Sequence, residues 1–230
     1  TDLDHHFAPR NFIRPGATLR EILAILREPY CGAIGMEFMH IQDPDERQWL
    51  KERMESTRNR AAFSLAEKTR ILWKLSAAAL FEAYLHRRFV GQKRFSLEGG
   101  EILLPVLDHL LNRAAAAGVT DLILGMPHRG RLNVLANLFG KPFATIFAEF
   151  EDNLEYAFVG EGDVKYHKGY SGERETDAGG TIRLTLAANP SHLEAVNPGV
   201  DGKCRARQDR YGAAGPARVL PVLLHGDAAF

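Results

Sequence analysis

Three short apolar runs, each followed at once by a polar turn that carries a histidine, constrain the fold of this chain most. The runs cover residues 120–124, 182–188 and 218–224, and the turns after them are GMPHRGR (125–131), NPSHLEAV (189–196) and HGDAAF (225–230). Short apolar runs bounded by Gly and Pro are typical of buried strands. Helical patterns lie between them, so this region predicts an α/β fold with a mostly parallel sheet and helices on both faces. Pro221, inside the third run, is unfavourable in a central strand.

The first hundred residues carry helix signals instead of strand signals. Thr18 precedes an amphipathic stretch that Pro29 should stop, and Asp43-Pro44 opens a second helix. A capping box at residues 64–67 starts a long helix that ends near residue 88, and a further helix covers 101–117. We therefore predict a helical linker or subdomain over 1–100 and an α/β domain over 101–230. Residues 152–180, rich in Gly, Asp and Glu, are predicted to form a long loop.

The charge balance and the cysteines exclude several classes of protein. Lys and Arg number 29, as do Asp and Glu, so a wholesale nucleic-acid binder or an anionic-membrane binder is not expected. The two cysteines, Cys31 and Cys204, do not read as a secretory disulfide framework. The apolar runs are too short to span a bilayer, and the first residues lack the apolar core of a signal peptide. Both ends look cut, which predicts a fragment of a longer cytoplasmic protein.

The predicted turns would place histidines at one edge of the sheet. In an open parallel sheet, ligands bind at the carboxyl ends of the strands. His128, His192 and His225 each follow a strand and are therefore expected near one crevice. A fourth histidine, His167, lies in the long loop.

Charged residues in the same turns suggest the kind of ligand. Arg129 and Arg131 supply positive charge at a predicted helix start, which suits a phosphate group. Ser191 could cap a helix or donate to an anion, and Asp227 offers a hard oxygen ligand for magnesium. These residues together predict a site for a phosphorylated cofactor, with a divalent ion at the phosphate.

Each of these residues also has an ordinary structural interpretation. A turn histidine can simply be a hydrogen-bonded structural residue, and the arginines can pair with acids on a solvated face. Ser191 suits a helix N-cap and Asp227 suits an Asx turn. Four histidines could also build a zinc site, although the chain has no HxxxH or CxxC spacing.

Long motifs at these turns resemble a known family. GMPHRGRLNVLAN, GDVKYHKG, NPSHLEAVNP and LLHGDAAF closely resemble the E1 component of the 2-oxoglutarate dehydrogenase complex, and YCGAIGMEFMHI, Gln48-Trp49 and KRFSLEGGE resemble it upstream. The motifs keep the same order over nearly the whole chain. The resemblance implies the thiamine diphosphate-binding fold, with residues 101–230 as its first part and the fold incomplete at the C-terminus.

The resemblance also implies a reaction and its partners. The family uses thiamine diphosphate and Mg²⁺ to decarboxylate 2-oxoglutarate in the tricarboxylic acid cycle, and it passes the succinyl group to the lipoyl group of the E2 succinyltransferase. By resemblance, His128 and His167 hold and polarise the keto acid, and Ser191 also contacts it. The full-length protein is then expected to be a homodimer, cytoplasmic in bacteria or in the mitochondrial matrix in eukaryotes.

Cofactor-binding residues follow from the same resemblance. Arg129 is similar to a residue on the diphosphate side, and Asp227 is similar to the first magnesium ligand. The cofactor-binding residues that the resemblance implies are Arg129, Ser191, Leu193, Asp227, Ala228 and Ala229. The family's second magnesium ligand, an Asn, and the glutamate that activates the aminopyrimidine ring are missing from this sequence, so the fragment itself is expected to be inactive.

Three alternatives stay open at this point. The same chemistry could act on 2-oxoadipate, because one methylene changes binding by only about 1–3 kcal/mol. The chain could be a non-catalytic, E1-like scaffold whose helical first third docks a partner, or a metal-dependent hydrolase built on the histidines. The intact set of His128, Arg129, His167 and Asp227 favours the enzyme, since a scaffold has no physical reason to keep all four.

Overall fold

The computed structural model describes residues 2–9, 13–151, 164–177, 179–189 and 193–229. The chain forms two compact units, Thr1–Leu65 and Ala66–Phe230. This division lies upstream of the boundary predicted at residue 100. The linker role predicted for residues 1–100 stays a prediction.

In its described residues, the first unit contains two α-helices, a short 3₁₀ helix at Asp2–Asp4 and a short pair of strands. The elements are β1 (His6–Phe7), antiparallel to β2 (Ala17–Thr18), α1 (Leu19–Tyr30) and α2 (Pro44–Thr57). A capping box begins α1: the Thr18 hydroxyl accepts from the Glu21 backbone N–H at 3.2 Å, and the Glu21 carboxylate accepts from the Thr18 N–H at 2.8 Å. The stop predicted at Pro29 is wrong, because α1 continues through this proline and ends at Tyr30.

The second unit holds a four-stranded sheet and the remaining helices. Its helices are α3 (Leu65–Arg88), α4 (Leu103–Ala116), α5 (Arg131–Asn137), α6 (Phe143–Phe150), α7 (Asn197–Arg210) and α8 (Gly215–Arg218). Its strands are β3 (Asp121–Gly125), β4 (Tyr170–Glu175), β5 (Thr181–Leu186) and β6 (Val219–Leu223). Among the residues that the structure describes, no helix is both long and apolar enough to cross a membrane.

The sheet has the order β4-β5-β3-β6. Strand β3 pairs in parallel with β5 and with β6, so the predicted mostly parallel sheet is confirmed. Pro221 lies on β6 at one edge of this sheet, where a missing backbone donor costs least. The prediction of a long loop over 152–180 is wrong for its last part, because β4 lies there and forms an antiparallel hairpin with β5. Its first part, 152–163, lies outside the described residues.

Helices cover both faces of the sheet, as predicted. Leu122 and Leu124 of β3 point into a core shared with α3, α4, α5 and α6. Ile123, on the opposite face, packs in a second cluster with Val200 and Cys204 of α7. Alternate residues of a strand point to opposite faces, so a strand that is buried throughout requires a layer of helices on each side. The fold is therefore mixed α/β, with the long helix α3 part of the sheet's own core.

A buried carboxylate links α3, α4 and the hairpin. Asp108 on α4 is 2 % exposed and accepts from Arg70 Nε at 2.5 Å and from Arg174, and it pairs with Lys74 Nζ at 3.1 Å. Burial by itself would raise the pKa of Asp108. The hydrogen bonds from Arg70 and Lys74 outweigh burial and lower this pKa from 3.8 to about 2. Asp108 therefore stays ionised and holds three cations together.

Candidate cofactor and substrate site

The carboxyl ends of β3, β5 and β6 meet at one edge, and the candidate residues follow these ends. The backbone N–H of Ala187, just after β5, donates to Leu124 O at 2.9 Å. The N–H of Leu224, just after β6, donates to Gly125 O at 2.9 Å. The turns after the three strands are therefore neighbours, as the strand pattern predicted. Ser191 and His192 lie outside the described residues, so their predicted positions stay predictions.

An aromatic ring joins the His128 turn to the His167 turn. The imidazole of His128 is half-buried and packs on Phe95, with ring centroids 4.0 Å apart. Phe95 also contacts Tyr166 edge-on, with ring centroids 5.1 Å apart, and Tyr166 directly precedes His167. The structure thus brings the regions of both predicted catalytic histidines to one aromatic residue. Phe95 was not predicted as part of the site.

Gly130 lets the His128 turn lie close to the loop that carries Phe95. Its N–H donates to Phe95 O at 3.1 Å, and its φ is +75°. A Cβ at this position would lie 2.5 Å from Leu97 Cδ1. Only glycine combines this backbone conformation with such a close approach. Gly130 therefore serves close packing between two loops.

Glu82 of α3 holds the loop that carries Phe95. Glu82 is 2% exposed, and its carboxylate accepts from Leu97 N–H and from Asn133 Nδ2 at 3.1 Å each and pairs with Arg94 Nη1 at 3.0 Å. These bonds join α3, the loop and α5. Glu82 thus fixes the position of the Phe95 ring against His128, although Glu82 is far from His128 in sequence.

The His167 turn is tied to the segment after β5. The Asn189 N–H donates to His167 O at 3.2 Å. Gly169 allows this approach, since a Cβ there would lie 3.0 Å from Leu186 O and from Ala188 N. The Lys168 ammonium pairs with Glu149 at 3.1 Å, and Glu149 also pairs with Lys141 at 2.9 Å. Among the described residues, two ammonium groups therefore share one carboxylate, and one of them belongs to Lys168, the residue directly after His167.

Arg131 differs most from its predicted role. It was expected to supply positive charge for a phosphate, but it is 0 % exposed, and its guanidinium donates to protein oxygens. Nη1 donates to Met126 O at 3.0 Å and to Asn189 Oδ1 at 2.9 Å. Nε and Nη2 donate to Lys168 O at 3.2 and 2.9 Å, and Nη2 also donates to Ala187 O. Its donors are used inside the protein, so the phosphate interpretation of Arg131 is wrong.

The remaining candidates lie nearer the surface. Arg129 is exposed, and its Nη1 lies 3.5 Å from Ser96 O. Leu193 is 58 % exposed. Asp227 is exposed and begins a 3₁₀ turn, Asp227–Ala229, four residues after β6 ends. Ala229 closes this turn by donating from its N–H to Gly226 O at 3.0 Å.

The donor set suits a magnesium diphosphate group in its chemistry. Arg129 offers an exposed guanidinium after β3, and Asp227 offers an exposed carboxylate after the neighbouring strand β6. Carboxylate oxygen suits Mg²⁺, and a guanidinium suits phosphate. Within the part of the chain that the structure describes, no group of three or more His, Cys, Asp or Glu side chains could hold a metal by itself.

Comparisons with known proteins identify the chain's relatives. No family model matches the chain. It is 51% identical, over all of its length, to 24% of the 2-oxoglutarate dehydrogenase E1 component of Cupriavidus necator. It is 49% identical over 93% of its length to 22% of the E1 component of Azotobacter vinelandii. It is 50% identical over all of its length to 19% of the 2-oxoglutarate dehydrogenase E1/E2 component of Corynebacterium glutamicum.

These matches confirm the resemblance seen in the motifs. The chain spans about a quarter or less of the length of these curated relatives. At about half identity over the whole chain, the match extends well beyond the turns that carry the motifs. Over its full length, the chain is therefore homologous to one segment of the 2-oxoglutarate dehydrogenase E1 component.

Proposed function

We propose that this chain is the part of a thiamine diphosphate-dependent 2-oxoglutarate dehydrogenase E1 that carries the substrate histidines and the first magnesium ligand. The observation that carries the proposal is the match of 51% identity over the full chain to an E1 component. The meeting of the His128, His167 and Asp227 segments around one sheet edge supports it. Since the chain spans about a quarter of that relative, we also propose that it is inactive by itself.

His128 and His167 orient the keto acid in this proposal. An imidazole can donate to a keto or carboxylate oxygen, and it can hold or release a proton near neutral pH. The packing of His128 on Phe95 limits the rotation of its ring before substrate binds. Ser191 and Leu193 complete the lining of the substrate and cofactor region.

Arg129 and Asp227 hold the cofactor in this proposal. The Arg129 guanidinium would contact the diphosphate, Asp227 would bind Mg²⁺, and by the family resemblance Ala228 and Ala229 would lie beside the diphosphate. When bound, thiamine diphosphate supplies the nucleophile and the electron sink for decarboxylation. The full-length protein, as a cytoplasmic homodimer, would pass the succinyl group to the lipoyl group of an E2 succinyltransferase.

The test of this function uses the full-length parent protein. We expect CO₂ release from 2-oxoglutarate that requires both thiamine diphosphate and Mg²⁺. Activity is measured before and after exhaustive EDTA treatment and cofactor removal, then after each component is restored. 2-Oxoadipate serves as the matched substrate. Activity that persists without cofactor and metal would refute the proposal, and a higher kcat/KM for 2-oxoadipate would correct the substrate.

Asp227→Asn distinguishes a magnesium ligand from a turn residue. Asn forms Asx turns as well as Asp does, so a purely structural residue should tolerate the change. A magnesium ligand should not, because hard divalent ions prefer anionic oxygen. We expect thiamine diphosphate affinity, titrated at fixed Mg²⁺ in the full-length protein, to fall at least about tenfold, or about 1.4 kcal/mol.

A matched control for this variant is Asp209→Asn. Asp209 is also exposed, but it lies at the C-terminal end of α7, where Tyr211 bonds Asp121 at the amino end of β3. The control should bind cofactor like the wild type. Equal dissociation constants for Asp227→Asn and wild type would show that Asp227 only shapes its turn.

A further inference from the structure

Arg131 makes a set of contacts that ordinary packing of a helix start does not require. It is the first residue of α5, is 0 % exposed, and places its whole guanidinium inside the protein. Burying a cation is costly unless its donors find partners. Here the partners are three backbone carbonyls and one side-chain amide, reached by Nε, Nη1 and Nη2.

The oxygens that Arg131 contacts flank the candidate residues. Met126 O lies two residues before His128, at 3.0 Å from Nη1. Lys168 O directly follows His167, at 2.9 Å from Nη2. Asn189 Oδ1, at 2.9 Å from Nη1, lies two residues before Ser191. One side chain thus joins the segments after β3 and β5 to the His167 turn.

The chemistry of these bonds explains why an arginine stands here. A guanidinium presents five N–H donors in a rigid plane, whereas a lysine presents three donors from one nitrogen. A planar guanidinium can contact oxygens from three chain segments more easily than the single nitrogen of a lysine can. Burial lowers the pKa of Arg131 to about 10, so the group stays charged at neutral pH.

We infer that Arg131 is a positioning residue, which holds the His128, His167 and Asn189 segments in register and thereby sets the geometry of the two imidazoles. This inference rests on the proposed function, since it assumes that the imidazoles contact substrate. Arg131 itself acts through other residues and does not touch the substrate in this scheme. An error of about 1 Å in the placement of a catalytic group can cost about 100-fold in rate.

The experiment compares two arginine-to-lysine variants in the full-length parent. Arg131→Lys keeps the charge but cannot reach all three segments. Arg207→Lys is the matched control, because Arg207 makes one bond, at 2.7 Å, to Asp121 at the amino end of the same strand β3. A lysine at position 207 can still form this single contact to the Asp121 carboxylate.

Two measurements distinguish a positioning role of Arg131 from an effect on the stability of the fold. The first is amide hydrogen exchange over residues 126–131, 164–169 and 187–189. The second is kcat and KM at a temperature where all variants are folded. We expect Arg131→Lys to lose exchange protection in all three segments together and to lower kcat by about 10–100-fold with a smaller change in KM. Arg207→Lys should change neither.

Chemical rescue adds a further arm. Arg131→Ala leaves a cavity of guanidinium shape, and added guanidinium ion, well below unfolding concentrations, should restore part of kcat. Arg207→Ala should show no such rescue. If Arg131→Ala does not fold, Arg131→Lys still decides the question.

The outcomes separate this inference from the proposed function. A kcat within twofold of wild type in folded Arg131→Lys, or lost protection confined to one segment, would overturn the positioning role. If the wild-type parent shows no cofactor-dependent activity, the proposed function fails. In that case hydrogen exchange alone decides whether Arg131 holds the three segments together.

Discussion

Replacing His167 with alanine in the full-length protein should lower kcat/KM by about 10²–10⁴-fold, the usual cost of losing a group that donates or transfers a proton. The melting temperature should stay nearly constant. The backbone of this turn is held by the bonds from Asn189 N–H to His167 O and from Arg131 to Lys168 O, and alanine keeps both. The imidazole is only half-buried, so its removal opens no large core cavity.

His109→Ala is the matched control for this variant. His109 is an exposed histidine on α4, and its loss should alter neither kcat/KM nor the melting temperature. Steady-state kinetics and thermal unfolding are measured on the same preparations. A large drop in melting temperature together with normal specific activity for His167→Ala would show that His167 is structural.

Asp108→Asn is expected to destabilise the chain by about 3–5 kcal/mol, the range found when one partner of a buried ion pair is removed. The change leaves Arg70, Lys74 and Arg174 near a neutral amide in place of their shared carboxylate. The measurement is urea unfolding followed by circular dichroism at neutral pH.

Asp177→Asn is the control, because the Asp177 carboxylate also binds Arg70, at 2.6 Å, but is 62% exposed. An exposed pair contributes about 0–1 kcal/mol, so this variant should unfold almost like the wild type. A loss for Asp108→Asn as small as that for Asp177→Asn would contradict the structural role assigned to Asp108.

The pH dependence of unfolding gives a second check on Asp108. Its pKa is about 2 in the folded chain and close to 3.8 when unfolded, so the unfolded chain takes up the proton first as pH falls. The stability that Asp108 contributes is therefore present above about pH 4 and is lost progressively toward pH 2. The difference in unfolding free energy between wild type and Asp108→Asn should shrink over this window.

Local patterns were sufficient to predict the elements that bury clear apolar runs. Strand β3 is buried at every position and is bounded by glycine, and it was predicted within a residue. Helix α7 gave no such signal, because within it only Val200 and Cys204 are buried and most of its other residues are polar or small. Strand β4 exposes alternate residues and is rich in charged residues, so its composition resembles that of a loop.

The site was predictable in its position but not in its internal bonds. Strand polarity determines which turns share an edge, and this could be inferred from residues 120–131 and 218–227 alone. The roles of Arg131 and Glu82 depend on which distant carbonyl or amide each side chain meets. Such contacts join residues that are 5 to 58 positions apart, and the local periodicity of apolar residues does not predict them.

The buried carboxylate of Glu82 has a consequence for how this region can change during evolution. Arg94 is 15% exposed in its side chain and Asn133 is fully buried, and both donate to this one carboxylate. Exchanging Glu82 alone would remove an acceptor that Arg94 and Asn133 share, leaving Arg94 with Glu98 and Asn133 with Ala78 O. Exchanging Arg94 alone would leave the buried acid without its cation. Substitutions at positions 82, 94 and 133 should therefore covary among homologues. Selection should retain joint changes at the three positions that compensate one another and should remove single changes.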